Sequence, residues 1–346
     1  MKTFRVGLIY FQEAFSKDLQ YNLSCQKTVI NSDGEEVQII SEHISISEYN
    51  LDMKSNYDLI LDRASHYFKL ALSQFMMYAH QGTRIVNNPL SFHYFMERKD
   101  MGYYIAHQLG VNVPPTYVLP TCKTPHFENE DFIHHQHFNW EKIIEEIGFP
   151  CFLKPANGRG ARNVHHCRNR MELMTAYEGS GSEIMTLQSK VDSPHEWQIR
   201  CICLGKEILV CKYIFRDMDQ SEYIVDDNFL SEESKQSIID QTKVINRCMG
   251  YEMNSVEFFL DQEGIPWAID FNNPIPDGRL EALGEFWYKK YQKATVQLIL
   301  DAAYENKPSN FIPEEINEYA KIAQMDCSKK EKFKIALKKA NLYYEK

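Results

Sequence analysis

Residues 254–274, NSVEFFLDQEGIPWAIDFNNP, read as two strands, Ser255–Asp261 and Pro266–Asn272, joined through Gln262, Glu263 and Gly264. Such a pair commits the later part of the chain to an antiparallel sheet. Successive side chains of a strand point to opposite faces, so Asp270 and Asn272 share one face and Trp267, Ile269 and Phe271 take the other. With a two-residue Glu263-Gly264 turn, Glu257 stands directly across from Asp270. Like charges in that position destabilise a sheet, and something positive is expected between them. Glu257, Asp270 and Asn272 suit Mg²⁺, which takes one or two carboxylates and fills its shell with water and phosphate oxygens. Taken alone, the same pattern also fits a solvated strand face.

The beginning of the chain follows a different rule. Val6–Phe11, Val37–Ser41, Tyr57–Leu61 and Arg84–Asn87 read as strands alternating with helical stretches, which predicts a parallel α/β layer over roughly the first 90 residues. A helix is expected over Ser91–Leu109, stopped by Gly110 and Pro114-Pro115. Beyond a brief strand at Tyr117–Leu119 come helix Trp140–Ile147, a strand ending at Lys154, helix Met171–Tyr177 and strand Glu183–Val191. A hairpin of Glu196–Cys203 and Glu207–Phe215 follows, then helix Glu232–Met249. The last stretch, SKKEKFKIALKKANLYYEK, reads as a basic helix with Phe333, Leu337 and Tyr344 on one packed face, its lysines solvated; an acidic partner or a membrane surface is the other reading of those lysines. With 346 residues, two or three subdomains are expected. The divisions are 1–90, 91–190, 191–325 and 326–346.

A net charge of −10 argues against a general nucleic-acid binder, which needs concentrated positive charge. The nine cysteines show no CxxC pair and read as reduced core thiols of a cytoplasmic protein. Cys201 and Cys203, on a strand, would share a face. The amino-terminal run reads as a strand rather than a signal peptide, and no segment approaches the ~20 apolar residues of a membrane span. His134, His135 and His137 lie in a polar excursion; a solvated loop fits them better than zinc, because no Cys or carboxylate stands at a structural-site spacing.

The stretch 148–164, GFPCFLKPANGRGARNV, delivers Lys154 on an apolar strand beside a loop holding Gly158, Arg159, Gly160 and Arg162. Glycine backbone N–H groups can approach phosphate oxygens closely. Lys154, and Lys99 in ERKD, are the cations that a nucleotide's phosphates need. The loop is neither a dinucleotide fingerprint, since Asn163 replaces the third glycine, nor a P-loop, since GK[ST] is missing.

These pieces, in this order, resemble the ATP-grasp superfamily, particularly its carboxylate–amine and carboxylate–thiol ligases such as D-alanine–D-alanine ligase and glutathione synthetase. The resemblance spans roughly residues 90–300 and implies an α/β (α+β) fold. A parallel α/β layer would precede a two-lobed ATP-grasp unit whose antiparallel sheets grip ATP. ERKDMGYYIAHQLGVNVPPTYVL and GFPCFLKP resemble the segments carrying the two phosphate-binding lysines, here Lys99 and Lys154. NGRGARNV is similar to the phosphate flap, here Gly158, Arg159 and Gly160. EIMTLQSKVD resembles the linker at the base, which implies that the backbone of Ser189, Lys190 and Val191 meets adenine and that Gln188, Lys190 or Asp192 lines base and ribose. HEWQIRCICLGKEIL resembles the strand that supplies Arg200 to the phosphates or acyl intermediate, with Lys212 and Arg216 as rivals. Glu257, Asp270 and Asn272 match the metal hairpin, with Asp where the family usually has Glu.

The resemblance implies ATP and Mg²⁺ as cofactors, two ions with Mn²⁺ as a substitute. It also implies an acyl-phosphate route joining a small-molecule or peptide carboxylate to an amine or thiol. A small-molecule kinase and a non-catalytic ATP-binding protein are the alternatives. Arg63, after the YDLIL strand, and Arg279, in NPIPDGRLEALG, are candidates for a substrate carboxylate; a salt-bridged loop arginine is the plainer reading of Arg279. A homodimer through the N-terminal layer is the family-based expectation, with neither nucleic acid nor membrane as partner.

Overall fold

A computed structural model describes residues 2–10, 13–26, 28–123, 139–157, 162–216, 221–307 and 312–345. Strands Lys2–Ile9 (β1), Val29–Ile30 (β2), Glu36–His43 (β3), Leu59–Asp62 (β4) and Arg84–Val86 (β5), with helices Glu13–Ser24 (α1) and Lys69–His80 (α2), form the first layer. Its sheet runs β2-β3-β1-β4-β5 and is parallel apart from the β2–β3 pair. The sheet is covered on both sides, which is why β4 is buried at every position. Phe4, Val6 and Leu8 pack with Phe15, Leu19 and Leu23 of α1, whereas Ile60 packs with Ala71, Phe75 and Tyr78 of α2.

The helix expected over 91–109 is two helices, Pro89–Met96 (α3) and Lys99–Gln108 (α4). The break sits at Arg98, whose backbone leaves the helical region (φ −135°, ψ 64°) while its guanidinium bonds the Asp100 carboxylate at 2.7 and 3.0 Å. This offset lets the Lys99 N–H donate to the carbonyl of Ala156 at 2.9 Å, so the start of α4 is tied to the strand that carries Lys154.

The next sheet is built from Thr116–Leu119 (β6), Cys151–Pro155 (β7), His165–Cys167 (β8) and Met185–Ser189 (β9), with helices Trp140–Ile147 (α5) and Arg170–Gly179 (α6). Its order is β6-β9-β7-β8, antiparallel throughout. Alternation sorts its residues: Leu119, Cys151, Leu153, Cys167, Met185 and Leu187 pack on α5 and α6. Lys154, Phe152 and Gln188 therefore take the opposite face.

A five-stranded antiparallel sheet follows, β12-β11-β10-β13-β14. It comprises Gln198–Leu204 (β10), Glu207–Ile214 (β11), Glu222–Ile224 (β12), Met253–Leu260 (β13) and Pro266–Asn273 (β14), with helix Glu232–Met249 (α7) between β12 and β13. One face, with Ile199, Cys201, Cys203, Val256 and Phe258, is buried on α7. Part of the other, with Ile202, Leu204, Cys211 and Met253, is covered by Leu280–Glu305 (α8). Ser231 caps α7 by accepting from the Ser234 N–H, and Gly250 ends it with φ 67°. A Cβ on Gly250 would also meet Ser91 Oγ at 2.7 Å. Glu314–Gln324 (α9) and Lys329–Tyr344 (α10) close the chain. Ala336 is buried with α7, and Phe333 and Leu337 pack against the same core.

No helix among the described residues is long and apolar enough to cross a membrane. The cysteines are free thiols and six of them are buried; the His134–His137 loop lies outside the described residues.

Candidate active site

Strand pairing assembles the site. Glu257 lies opposite Asp270 on β13 and β14, and opposite Arg200 on β10, so these three share one face. The hairpin reaches that pairing by a route that differs from a two-residue turn. Leu260 pairs with Pro266, Asp261 N–H donates to the Ile265 carbonyl at 3.0 Å, and an irregularity between Glu257 and Phe258 restores the Glu257–Asp270 match.

Two cations meet the two carboxylates directly. Arg200 Nη2 lies 2.6 Å from Glu257 Oε1, and Lys99 Nζ lies 3.1 Å from Asp270 Oδ1. Lys154 completes the group: its ammonium donates to Gln188 Oε1 at 2.8 Å and to the Ile269 carbonyl at 3.3 Å. α4 brings the lobes together, since Tyr103 Oη also donates to that carbonyl, at 2.9 Å. Gly102 makes this closeness possible, because a Cβ there would lie 2.8 Å from Asn272 Nδ2.

The charges perturb one another. Burial pushes the Lys154 ammonium down to about 8, with Lys99 adding to the effect and Asp270 and Glu257 opposing it. Burial raises Glu257, assisted by Asp270 and resisted by Arg200. Burial would raise Asp270 as well, yet the ammonium groups of Lys99 and Lys154 hold it below its ordinary value. Arg200 lies over the Tyr213 ring, 3.8 Å from its centroid, and bonds Tyr223 Oη at 3.3 Å. Neither tyrosine announces this in the sequence, because only the β10–β11–β12 register brings them there.

Several other expected positions have different partners. Lys212 pairs with Ile199, so it points to the α7 side, away from Arg200, and bonds Asp226 at 2.9 Å. Arg216 is exposed at the end of β11. Arg63 is 5% exposed and enclosed by the rings of Tyr10, Phe15 and Tyr291, donating to Tyr291 Oη and to the Pro276 carbonyl at 2.6 Å. A guanidinium so enclosed holds the 274–279 loop to the first layer. Arg279 pairs with its neighbour Asp277 at 2.7 Å. Lys190 and Asp192 are exposed, and Ser189 N–H is taken by the Pro115 carbonyl at 3.0 Å. Gly158, Arg159 and Gly160 lie outside the described residues. Nothing in the sequence marks the role of Asn87, whose amide donates to the Met253 and Pro274 carbonyls and so ties the start of the hairpin to its finish.

Among the described residues no three His, Cys, Asp or Glu side chains converge on one point. A divalent ion here would rest on Glu257 and Asp270, supplemented by phosphate and water oxygens, which is a donor set that suits Mg²⁺. Asn272 fits less directly. It is 3% exposed, accepts from Tyr251 Oη at 2.8 Å and donates to the Phe95 carbonyl at 2.7 Å.

No family model matches the chain. Over 60 residues it is 37% identical to the D-alanine–D-alanine ligase of Bacillus velezensis, covering 17% of each chain. Over 154 residues it is 27% identical to the same enzyme of Bacillus cytotoxicus, covering 38% of this chain and 40% of the relative. The matches thus span less than half the length of these curated relatives. Solved structures align over far more. A RimK domain ATP-grasp protein from Sphaerobacter thermophilus matches with a TM-score of 0.56 at 14% identity, over 86% of this chain and 98% of its own. The D-alanine–D-alanine ligase of Bacillus anthracis, complexed with ATP, matches with 0.55 at 14%, over 87% and 96%. A macrocyclase from Microcystis aeruginosa, bound with a precursor peptide, matches with 0.58 at 12%, over 86% and 99%. The chain thus shares the fold of these ATP-grasp proteins.

Proposed function

We propose that this protein is an ATP-dependent ligase that joins a carboxylate to an amine or thiol, releasing ADP and phosphate. One observation carries the reading: Lys99, Lys154 and Arg200 converge on the Glu257–Asp270 pair where α4, β7, β10, β13 and β14 meet. Phosphoryl transfer asks chiefly for neutralised charge and in-line positioning, and three cations around two carboxylates supply the first. Solved relatives of the same fold are complexed with ATP, or with Mg and ADP.

In this reading Lys99 and Lys154 bind the α and β phosphates, and Glu257 and Asp270 hold Mg²⁺. A divalent ion held there would supply neutralisation of phosphate charge. Arg200, whose Nε has no protein acceptor, stabilises the transferred group. The substrate carboxylate attacks the γ-phosphate, giving an acyl phosphate and ADP; an amine or thiol then displaces phosphate.

The test is ADP release from Mg-ATP with pairs of carboxylates and amines or thiols, small molecules and peptides alike, followed by mass analysis of the product. ADP release that needs both partners, with an amide or thioester product, supports the ligase. A stable phosphorylated product would make the protein a kinase. Failure to bind ATP or ADP would end the reading.

A further inference from the structure

Gln188 does not present a free amide to a base. It is 2% exposed, and both ends of its amide are engaged. Oε1 accepts from Lys154 Nζ at 2.8 Å, and Nε2 donates to Thr116 Oγ1 at 3.0 Å. The Thr116 hydroxyl spends its own proton on the Pro114 carbonyl, at 2.7 Å, so it can only accept from the amide. That fixes which way the amide faces: flipped, its NH₂ group would confront an ammonium. Register accounts for the alignment. Gln188 stands opposite Thr116 on one side and Phe152 on the other, with Lys154 two residues beyond Phe152 on the same face. The Phe152 ring supports the ammonium from 5.5 Å.

We propose that Gln188 is a positioning residue, which holds the Lys154 ammonium in place for phosphate, with Thr116 setting the orientation of its amide. This role rests on the nucleotide reading above. Lysine ends in a flexible four-carbon stem, and ordering it before a ligand arrives removes part of the cost of binding. The acceptor is also neutral. A carboxylate would compete with phosphate for the same charge, whereas an amide oxygen orients the ammonium and leaves its charge unspent.

Calorimetric titration with Mg²⁺ present would compare wild type, Gln188→Met and Thr116→Val. The ligands are ADP, GDP, adenosine and inorganic tripolyphosphate. Gln188→Met should weaken ADP and tripolyphosphate about tenfold or more, the scale of one lost hydrogen bond to a charged group. Adenosine affinity and the ADP-to-GDP ratio should stay unchanged. Thr116→Val should move the same two ligands in the same direction by a smaller factor, and it keeps the test decisive should Gln188→Met not fold. Phosphate-ligand affinities within twofold of wild type in the folded variants would overturn the proposal. So would loss of adenosine affinity or of base preference, which would make Gln188 a reader of the base. Wild type that binds none of the phosphate ligands would overturn the nucleotide reading itself.

Discussion

Lys154→Met separates what the site costs the fold from what it contributes to the proposed reaction. A folded value of about 8 against the ordinary 10.5 means that the charged form is disfavoured by roughly 3 kcal/mol, at ~1.4 kcal/mol per decade. A base with a depressed value binds fewer protons folded than unfolded between those two pH values. Stability contributed by this group therefore rises with pH from about 8 to about 10.5, and the full penalty applies at pH 7. Methionine fills the volume without the charge and removes that penalty. Against this, Gln188 Oε1 loses its donor, at about 1–3 kcal/mol; the Ile269 carbonyl keeps Tyr103. Denaturant unfolding at pH 7 should find the variant as stable as wild type or up to ~2 kcal/mol more stable. The difference should shrink toward pH 10, as wild type sheds its proton. Turnover, once a substrate pair is known, should fall about 10²-fold, as for loss of one transition-state contact. A stability loss above ~2 kcal/mol at pH 7 would show that the ammonium stabilises the fold, contrary to the balance drawn from its burial. Near-normal turnover would remove Lys154 from the phosphate site.

The two faces of β10 and β11 lead to a paired test: Arg200→Ala should lower turnover ~10²-fold or more, whereas Lys212→Ala, on the α7 side, should stay within about threefold. Glu257→Gln should abolish Mn²⁺ binding measured by electron paramagnetic resonance in the presence of ADP; unchanged Mn²⁺ stoichiometry would remove Glu257 from the metal site. Arg63→Leu should lose about 2–4 kcal/mol of stability, since a buried guanidinium with two bonds and three ring contacts disappears. Arg279→Ala, at an exposed pair, should change stability by less than ~1 kcal/mol, and any effect should appear in KM for the carboxylate substrate.

Much of the fold is legible because it follows from short-range chemistry. Helix α7 covers Glu232–Met249 and ends at Gly250 as the sequence indicates, and α5 likewise stops at Gly148. The alternation of β7 separates Lys154 from the core side chains before any contact is known. Helix α1 could have been read from Phe15, Leu19 and Leu23 at helical spacing, but β8 and β12, of three residues each, are too short to show a period. The split between α3 and α4 is not legible in the sequence, because the contact it permits, from Lys99 N–H to the Ala156 carbonyl, joins residues 57 positions apart.

The candidate site divides along the same line. Strand alternation and residue type nominate Glu257, Asp270 and Lys154, because alternation and a carboxylate's need for a cation are local facts, whereas Lys99 comes from the family resemblance. Whether Arg200 or Lys212 faces those carboxylates depends on inter-strand register, and whether Arg63 and Gln188 are free or engaged depends on what a distant segment places beside them. Those outcomes belong to tertiary structure, since a side chain's direction is set by its own backbone but its partners are set by how the sheets and α4 come together.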